Sequence, residues 1–328
     1  GEVGGVKKRG MGMASLCHYA PGVSGALPSL LLEFPGCAEV RVNADGTVHL
    51  LIGVPDLGEG ISTGCAQIAA EELGVRLEDV TVTNADTDTT PWGGGVGASQ
   101  TLMRTGGATR AAAAKAKQQL LEEASKMLGV PAEELVARDR RIHVRGKPEK
   151  GVAIADVVRH RGYTVAGSEY EYYPPMYVSP WGSQFAEVEV DTENGQVKVL
   201  RLVAAHDVGR AINPKGIVEG QIEGAAHVGL GYALTEEVVL DGAGRVLNPR
   251  FLDYKMLGAA DMPKIDIIIV ESISPAGVFG AKGIGEMAAI PTIAAIADAV
   301  YNAIGIRIRE VPVTAEKVLK ALKEKEKK

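Results

Sequence analysis

Four glycine-rich junctions constrain this chain more than any other feature of its sequence. They are DLGEGIST (56–63), GGGVGASQT (93–101), VEGQIEGA (218–225) and GAKGIGE (280–286), and each leads into a predicted helix or lies in its first turns. Unpaired backbone N–H groups at a helix start face outward, with the positive end of the helix dipole behind them. Such junctions suit a phosphate or another polar ligand, and four of them indicate one large polar ligand. The alternative, that these glycines only form turns and helix caps, stays open.

Several other classes of function are disfavoured. No junction carries the Gly-Lys-Ser/Thr of a phosphate-binding loop, and GGGVGAS lacks the acidic partner of a dinucleotide fingerprint. The six histidines form no HxH or HExxH set, so we expect no metal site built from this chain's side chains. A net charge of −6 disfavours nucleic acid or an anionic membrane as the main partner. Three cysteines without metal-type spacing indicate reduced thiols and a cytoplasmic protein.

Local patterns predict an α+β (mixed α/β) fold with two subdomains, 1–170 and 171–328. Turns at Asp45-Gly46 and Asn194-Gly195 each predict a hairpin. Helices are predicted after Ser62 as N-cap, along the alanine-rich segment that ends at Gly129, from Pro214, and from Pro291 to Gly305. The apolar run KIDIIIVES (264–272) predicts a buried strand. The Tyr- and Pro-rich stretch EYEYYPPMYVSPWG places the boundary near residue 170.

Glu286 stands apart from the other acids because glycine, methionine, alanine and isoleucine surround it. These neighbours predict a buried junction between a loop and the last long helix. Burial raises the pKa of a carboxyl group, which is the tuning that a general base near neutrality needs. The residues alone leave a second interpretation open, in which this acid caps the free amides of the helix that begins at Pro291.

Five motifs in this order resemble the molybdopterin-binding subunit of the xanthine oxidase family. They are KKRGMGMA, DGTVHLLIGVPDLGEGISTGCAQIAAEELG, GASQTLMRTGGATRAA, HDVGRAINPKGIVEGQIEGAAHVGLGYAL and GAKGIGE. The resemblance extends from Lys7 to Leu322 and corresponds to the C-terminal half of the family's usual molybdenum chain. We expect a naturally split subunit, similar to the medium molybdopterin subunit of nicotinate dehydrogenase, rather than a piece of a longer chain. Both subdomains would then bind molybdopterin, and the second would carry the catalytic glutamate.

The resemblance implies a role for individual residues. Glu286 matches the family's general base, and Gln221 matches its pterin-contacting glutamine. Glu59 stands where many members have glutamine, which puts its contact in doubt because a carboxylate cannot donate a hydrogen bond. The implied cofactor-binding residues are Gly58, Glu59, Gly60, Gly97, Ala98, Ser99, Thr101, Gln221, Lys282, Gly283 and Gly285, and molybdenum itself would be held through the pterin dithiolene.

The resemblance also implies an activity and partners. The subunit would hydroxylate an electron-poor carbon with water as the oxygen source, on an N-heteroaromatic such as a purine or nicotinate in preference to an aldehyde. The expected cofactor is molybdopterin with molybdenum, in the cytosine dinucleotide form. The expected partners are a subunit with the N-terminal half of the molybdenum unit, a [2Fe-2S] subunit and an FAD subunit, in a dimer of heteromers. A non-catalytic scaffold, and a carbon monoxide dehydrogenase or hydroxybenzoyl-CoA reductase type of enzyme, are the alternatives.

Overall fold

The computed structural model describes residues 5–18, 35–172 and 178–326, and within them strands and helices are mixed as predicted. The strands are β1 (Lys7–Cys17), β2 (Gly36–Val42), β3 (Val48–Ile52), β4 (Val80–Asn84), β5 (Leu135–Arg138), β6 (Arg141–Val144), β7 (Lys147–Ala153), β8 (Val165–Tyr172), β9 (Trp181–Asp191), β10 (Val197–Asp207) and β11 (Lys264–Val270). The α-helices are α1 (Ile61–Leu73), α2 (Gly107–Leu128), α3 (Ile154–Arg161), α4 (Gly220–Leu234), α5 (Ala289–Ile304) and α6 (Ala315–Glu326). π-helical turns at Leu102–Gly106 and Pro214–Glu219 lead directly into α2 and α4.

The first sheet has the strand order β4-β3-β2-β8, and α1 and α2 pack on it. The predicted hairpin at Asp45-Gly46 is confirmed, since β2 and β3 pair antiparallel around it. The buried face of α2 consists largely of alanines, among them Ala108, Ala112 and Ala116. Side chains this small let a helix lie close to the sheet. The strands β5-β6-β7 form a separate small sheet beside α2.

The second sheet, in the order β1-β9-β10-β11, joins segments that are far apart in sequence. The predicted hairpin at Asn194-Gly195 is confirmed by the antiparallel pair β9 and β10. β1 pairs antiparallel with β9 over its whole length, from Lys7 opposite Asp191 to Cys17 opposite Trp181. The division at residue 170 stays a prediction, but β1 lies in the sheet that the later strands form.

Two glycines of the KKRGMGMA motif let α5 pack directly against β1. A Cβ atom at Gly10 would lie 2.2 Å from the carbonyl oxygen of Ala299, and one at Gly12 would lie 2.2 Å from that of Ala295. Only glycine therefore fits at these strand positions. Because α5 begins just after Glu286, this contact fixes the helix that follows the candidate base.

Two local predictions were wrong. Ser62 is not the N-cap of α1; the helix begins at Ile61, and Gly60 occupies the cap position with a φ of 79°. β11 is not a buried strand, since it lies at the sheet edge, parallel to β10, with Ile268 49 % exposed. Its run of isoleucines resembles that of a central strand, and only the sheet order shows that one side of it has no neighbouring strand among the described residues.

Candidate active site

The four glycine-rich junctions meet around one cavity of about 570 Å³. A volume of this size is in the range of small-molecule and cofactor sites, roughly 300–1,000 Å³. Every candidate residue named above lines it except Ala98: Gly58, Glu59, Gly60, Gly97, Ser99, Thr101, Gln221, Lys282, Gly283, Gly285 and Glu286. The fold thus brings together segments that are more than 200 residues apart in sequence.

Glu286 lies in the turn before α5 and its side chain is exposed at the cavity. The prediction that it is buried is therefore wrong for this chain. Its neighbours Met287 and Ala288 are fully buried, so the apolar residues around it point into the core while Glu286 points the other way. The capping interpretation also fails, because Ala288 occupies the N-cap position of α5 and no side chain caps it.

Ser99 holds the turn that carries Glu286. Its hydroxyl oxygen accepts a hydrogen bond from the backbone N–H of Glu286 at 2.8 Å and lies 3.5 Å from the carboxylate Oε2. Ala98 and Ser99 both have left-handed backbone, with φ of 50° and 54°. Such conformations are uncommon outside glycine and are retained where the surroundings enforce them. This conformation places the Ser99 hydroxyl within hydrogen-bonding distance of the Glu286 backbone N–H.

Gly283 is required by the protein's own backbone. A Cβ atom there would lie 1.6 Å from the carbonyl oxygen of Ser99. The resemblance implied that Gly283 and Gly285 bind the cofactor. In the structure Gly283 lets two loops of this chain touch, whereas a Cβ at Gly285 would meet Ser99 Oγ only at an ordinary 3.6 Å.

Gly283→Ala is expected to destabilise the chain by about 2 kcal/mol, because alanine must push the Ser99 carbonyl away. Chemical denaturation measures this change as a shift in the unfolding midpoint. Gly242→Ala is the matched control, since a Cβ at Gly242 meets nothing within 4 Å. If Gly283→Ala proves as stable as the control, the close contact between the two loops is not required.

Gln221 reaches the cavity from the first turn of α4. Its amide makes no hydrogen bond to any part of the chain that the structure describes. The amide lies near Ser99 and Glu286, because a Cβ at Gly285 would be 3.8 Å from Gln221 Oε1. Its donors and its acceptor are thus available to a ligand beside Glu286.

Only one of the two Glu59 carboxylate oxygens has a hydrogen-bond partner among the described residues. Its Oε2 atom accepts a hydrogen bond from the backbone N–H of Leu57 at 2.6 Å. Its Oε1 atom is buried and has no hydrogen-bond partner among the described residues. A buried polar atom without a partner is costly, and a ligand donor in the cavity would satisfy it.

Asp56 organises the loop before α1, a role that the sequence motifs did not predict. Its carboxylate accepts hydrogen bonds from the backbone N–H groups of Gly58, Gly60 and Ser62, at 2.9, 3.3 and 3.2 Å. Burial acts to raise the pKa of Asp56, but these donors outweigh it and hold the pKa below its ordinary value. An acid a few residues before a helix was the available signal.

The ammonium group of Lys282 is engaged in an ion pair with the protein's own Asp207. Its ammonium group lies 2.5 Å from Asp207 Oδ2, and both side chains are nearly buried, at 11 % and 12 % exposure. The other carboxylate oxygen of Asp207 accepts the N–H groups of Gly209 and Ser272. The side chain of Lys282 therefore connects its loop to Asp207 at the end of β10, and its ammonium group already has a partner.

Arg210 is a second candidate ligand-binding residue that the sequence motifs did not predict. It lines the same cavity and is exposed, and its guanidinium makes no ion pair or hydrogen bond within residues 5–18, 35–172 and 178–326. An unpaired guanidinium beside unfilled space suits an anionic group of a ligand. The only signal in the sequence is its place in the HDVGRAINP motif.

Comparison with known proteins gives consistent matches. Residues 2–263 match the family described as molybdopterin cofactor-binding domain. The chain is 32 % identical over 323 residues to a putative xanthine dehydrogenase molybdenum-binding subunit of Escherichia coli K12, covering 95 % of this chain and 42 % of that protein. It is also 32 % identical over 291 residues to the gamma subunit of the 6-hydroxypseudooxynicotine dehydrogenase complex of Paenarthrobacter nicotinovorans, covering 85 % and 36 %. The chain thus spans less than half the length of these relatives.

Among solved structures, the fold is similar to that of a Cu,Mo-containing CO dehydrogenase in its carbon-monoxide-reduced state. The TM-score is 0.89 at 28 % identity, and the match covers 98 % of this chain and 42 % of that one. Separately, no helix in the described ranges is both long and apolar enough to span a membrane. The described ranges also contain no group of three or more His, Cys, Asp or Glu side chains placed to hold a metal ion.

Proposed function

Because this chain belongs to the molybdopterin cofactor-binding domain family and matches part of the molybdenum-binding subunits of the xanthine oxidase family, we propose that its cavity forms part of the site of a molybdenum hydroxylase. The observation that carries this proposal is the convergence of four glycine-rich loops on one cavity where Glu286 is exposed. The alternative of a non-catalytic scaffold has less support, because Glu286 and Gln221 are both present and both line that cavity.

The residues present fit a large polar cofactor. Glu59 Oε1 needs a hydrogen-bond donor, and the Gln221 amide has no partner among the described residues. Gly58 and Gly97 border open space, since a Cβ at either position meets no atom within 4 Å. Arg210 would hold an anionic group, which is consistent with a pterin phosphate or the pyrophosphate of a cytosine dinucleotide form.

When bound, the molybdenum cofactor supplies the two-electron acceptor that oxidation of the substrate requires. The part played by this chain is proton transfer and orientation. The Glu286 carboxylate accepts the proton of the attacking water, and Ser99 holds the Glu286 backbone at 2.8 Å so that the carboxylate stays at the cavity. Glu286 is exposed with respect to the described residues, so any shielding of it from solvent must come from protein beyond them.

We also propose partner chains, and the exposed cavity and the greater length of the relatives support this proposal. A polypeptide equivalent to the remaining part of those relatives would close the cavity over Glu286. Electrons would pass to [2Fe-2S] and FAD subunits. We propose an N-heteroaromatic substrate first, since relatives are named for xanthine and 6-hydroxypseudooxynicotine, and carbon monoxide second, since the fold is similar to that of CO dehydrogenase.

The test is metal analysis and turnover of the complex purified from its native source. About one molybdenum per copy of this chain is expected, together with oxidation of one member of a panel of xanthine, nicotine, quinoline, benzaldehyde and carbon monoxide by an artificial electron acceptor. A complex without molybdenum that oxidises none of these compounds would support the scaffold alternative.

Gly97→Ala is expected to lower the molybdenum content of the complex without lowering the stability of the cofactor-free chain. A Cβ at Gly97 meets no protein atom, so alanine only takes up space inside the cavity. Overpacking of a filled site costs about 1–3 kcal/mol, which corresponds to a cofactor affinity weaker by roughly 5- to 150-fold. Molybdenum per chain and the unfolding midpoint are measured together, with Gly242→Ala as the control. Full molybdenum content in Gly97→Ala would place the cofactor elsewhere.

A further inference from the structure

Three polar side chains lie fully buried beneath the turn that carries Glu286. Gln184 on β9, His206 on β10 and Thr292 on α5 each have 0 % exposure. Their surroundings are otherwise apolar, with Met287, Ala288 and the core residues of the second sheet around them. Polar groups in such a place are costly unless they bond to one another, which these three do.

Gln184 is the centre of this buried cluster. Its amide nitrogen donates to the carbonyl oxygen of Ala288 at 2.8 Å and to Nε2 of His206 at 3.1 Å. Its amide oxygen lies 2.6 Å from the Thr292 hydroxyl, which also lies 2.7 Å from the Ala288 carbonyl and serves one of these acceptors at a time. Because the Ala288 carbonyl only accepts, it fixes which end of the Gln184 amide faces it.

The Ala288 carbonyl links this cluster to the candidate base, because Ala288 follows Glu286 by two residues. At the other end of the same short turn, the Ser99 hydroxyl oxygen accepts a hydrogen bond from the backbone N–H of Glu286. The backbone on both sides of the Glu286 side chain is therefore tied, to the loop at 99 and to the sheet strand β9. Few other contacts restrain this side chain, since it is exposed.

We propose that Gln184, oriented by His206 and Thr292, is a positioning residue that sets the Glu286 carboxylate at the cavity. This inference rests on the proposed function of Glu286. An apolar core of the same volume would hold β9 against α5 equally well, since replacing a buried polar cluster by apolar residues is often neutral for stability. A merely structural role therefore does not explain why the polar cluster is present, whereas a fixed direction for the Ala288 carbonyl does.

The experiment compares four proteins, each purified as the complex with its partner chains: wild type, Gln184→Met, the double variant Gln184→Met/His206→Leu, and Thr109→Val. Thr109 is the matched control, because it is fully buried and its hydroxyl also bonds the carbonyl one helical turn earlier, at 2.8 Å to Thr105. Hydrogen exchange of the backbone at 284–290, the thermal midpoint, and kcat and KM on the panel compound that turns over are measured for each.

For Gln184→Met we expect exchange at 284–290 to rise about tenfold and kcat to fall about tenfold or more at unchanged KM. Gln184→Met leaves His206 buried without its hydrogen-bond partner, and the double variant removes that imidazole. The double variant is therefore expected to regain thermal stability while kcat stays low. Thr109→Val should change neither the exchange at 284–290 nor kcat.

Recovery of kcat together with stability in the double variant would overturn the proposal, and so would wild-type exchange in Gln184→Met. The exchange measurement needs no turnover, so it decides the positioning role even if the complex oxidises none of the panel compounds. Absence of turnover in wild type would instead count against the proposed function.

Discussion

Glu286→Gln is expected to lower kcat by about 10³-fold while the complex keeps its full molybdenum content. Glutamine has the same size and shape as glutamate but cannot accept a proton, and a positioned general base contributes about 10²–10⁴-fold to rate. The Ser99 hydroxyl bonds the backbone N–H of Glu286, which the substitution leaves intact. The change should therefore affect the chemical step and leave the fold and the cofactor in place.

Metal analysis and steady-state kinetics on the same preparation provide the measurement. Glu310→Gln, an exposed acid on the loop before α6, is the control and should retain wild-type kcat. A variant at 286 with wild-type kcat would show that another group takes the proton. Loss of molybdenum in step with loss of activity would show that the carboxylate acts in cofactor binding instead.

Features set by neighbouring residues were predictable. The Asp45-Gly46 and Asn194-Gly195 turns fix their hairpins by local backbone preference, and Gly129 and Gly305 end α2 and α5 in left-handed backbone. The motif order also led to the family, and all but one of its implied residues line the cavity. Their individual roles stay proposals.

Features set by distant contacts were not predictable. Nothing near Lys7–Cys17 shows that this strand pairs with β9, and the glycines at 10 and 12 only acquire their meaning once α5 lies against them. The apolar residues next to Glu286 in the sequence predicted that its side chain is buried. In the structure Met287 and Ala288 are buried, whereas Glu286 is exposed. The Glu286 side chain itself points into a cavity that the described residues only partly enclose.

His206 makes the stability of the protein depend on pH. Burial lowers the pKa of its imidazole from the ordinary 6.5 to about 4. Nε2 of the neutral ring accepts a hydrogen bond from the Gln184 amide, so the ring proton is on Nδ1. Nδ1 has no hydrogen-bond partner among the described residues. Protonation would place a second N–H against the donating amide of Gln184, and the cluster would break.

The free energy of unfolding is therefore expected to fall by about 3 kcal/mol between pH 7 and pH 4 from this one group. Between pH 6.5 and pH 4 the unfolded chain binds a proton at residue 206 that the folded chain does not. The contribution is complete above pH 6.5 and is lost as the pH falls toward 4. Urea denaturation at several pH values measures it.

His206→Gln should remove this part of the pH dependence, because glutamine can still accept from Gln184 but does not titrate. His143→Gln, on the small sheet far from the cavity, should retain the wild-type slope. If the slope persists in His206→Gln, the loss of stability in acid arises from other groups. That result would also mean that the wild-type cluster tolerates a charged imidazole despite the donating Gln184 amide at 3.1 Å.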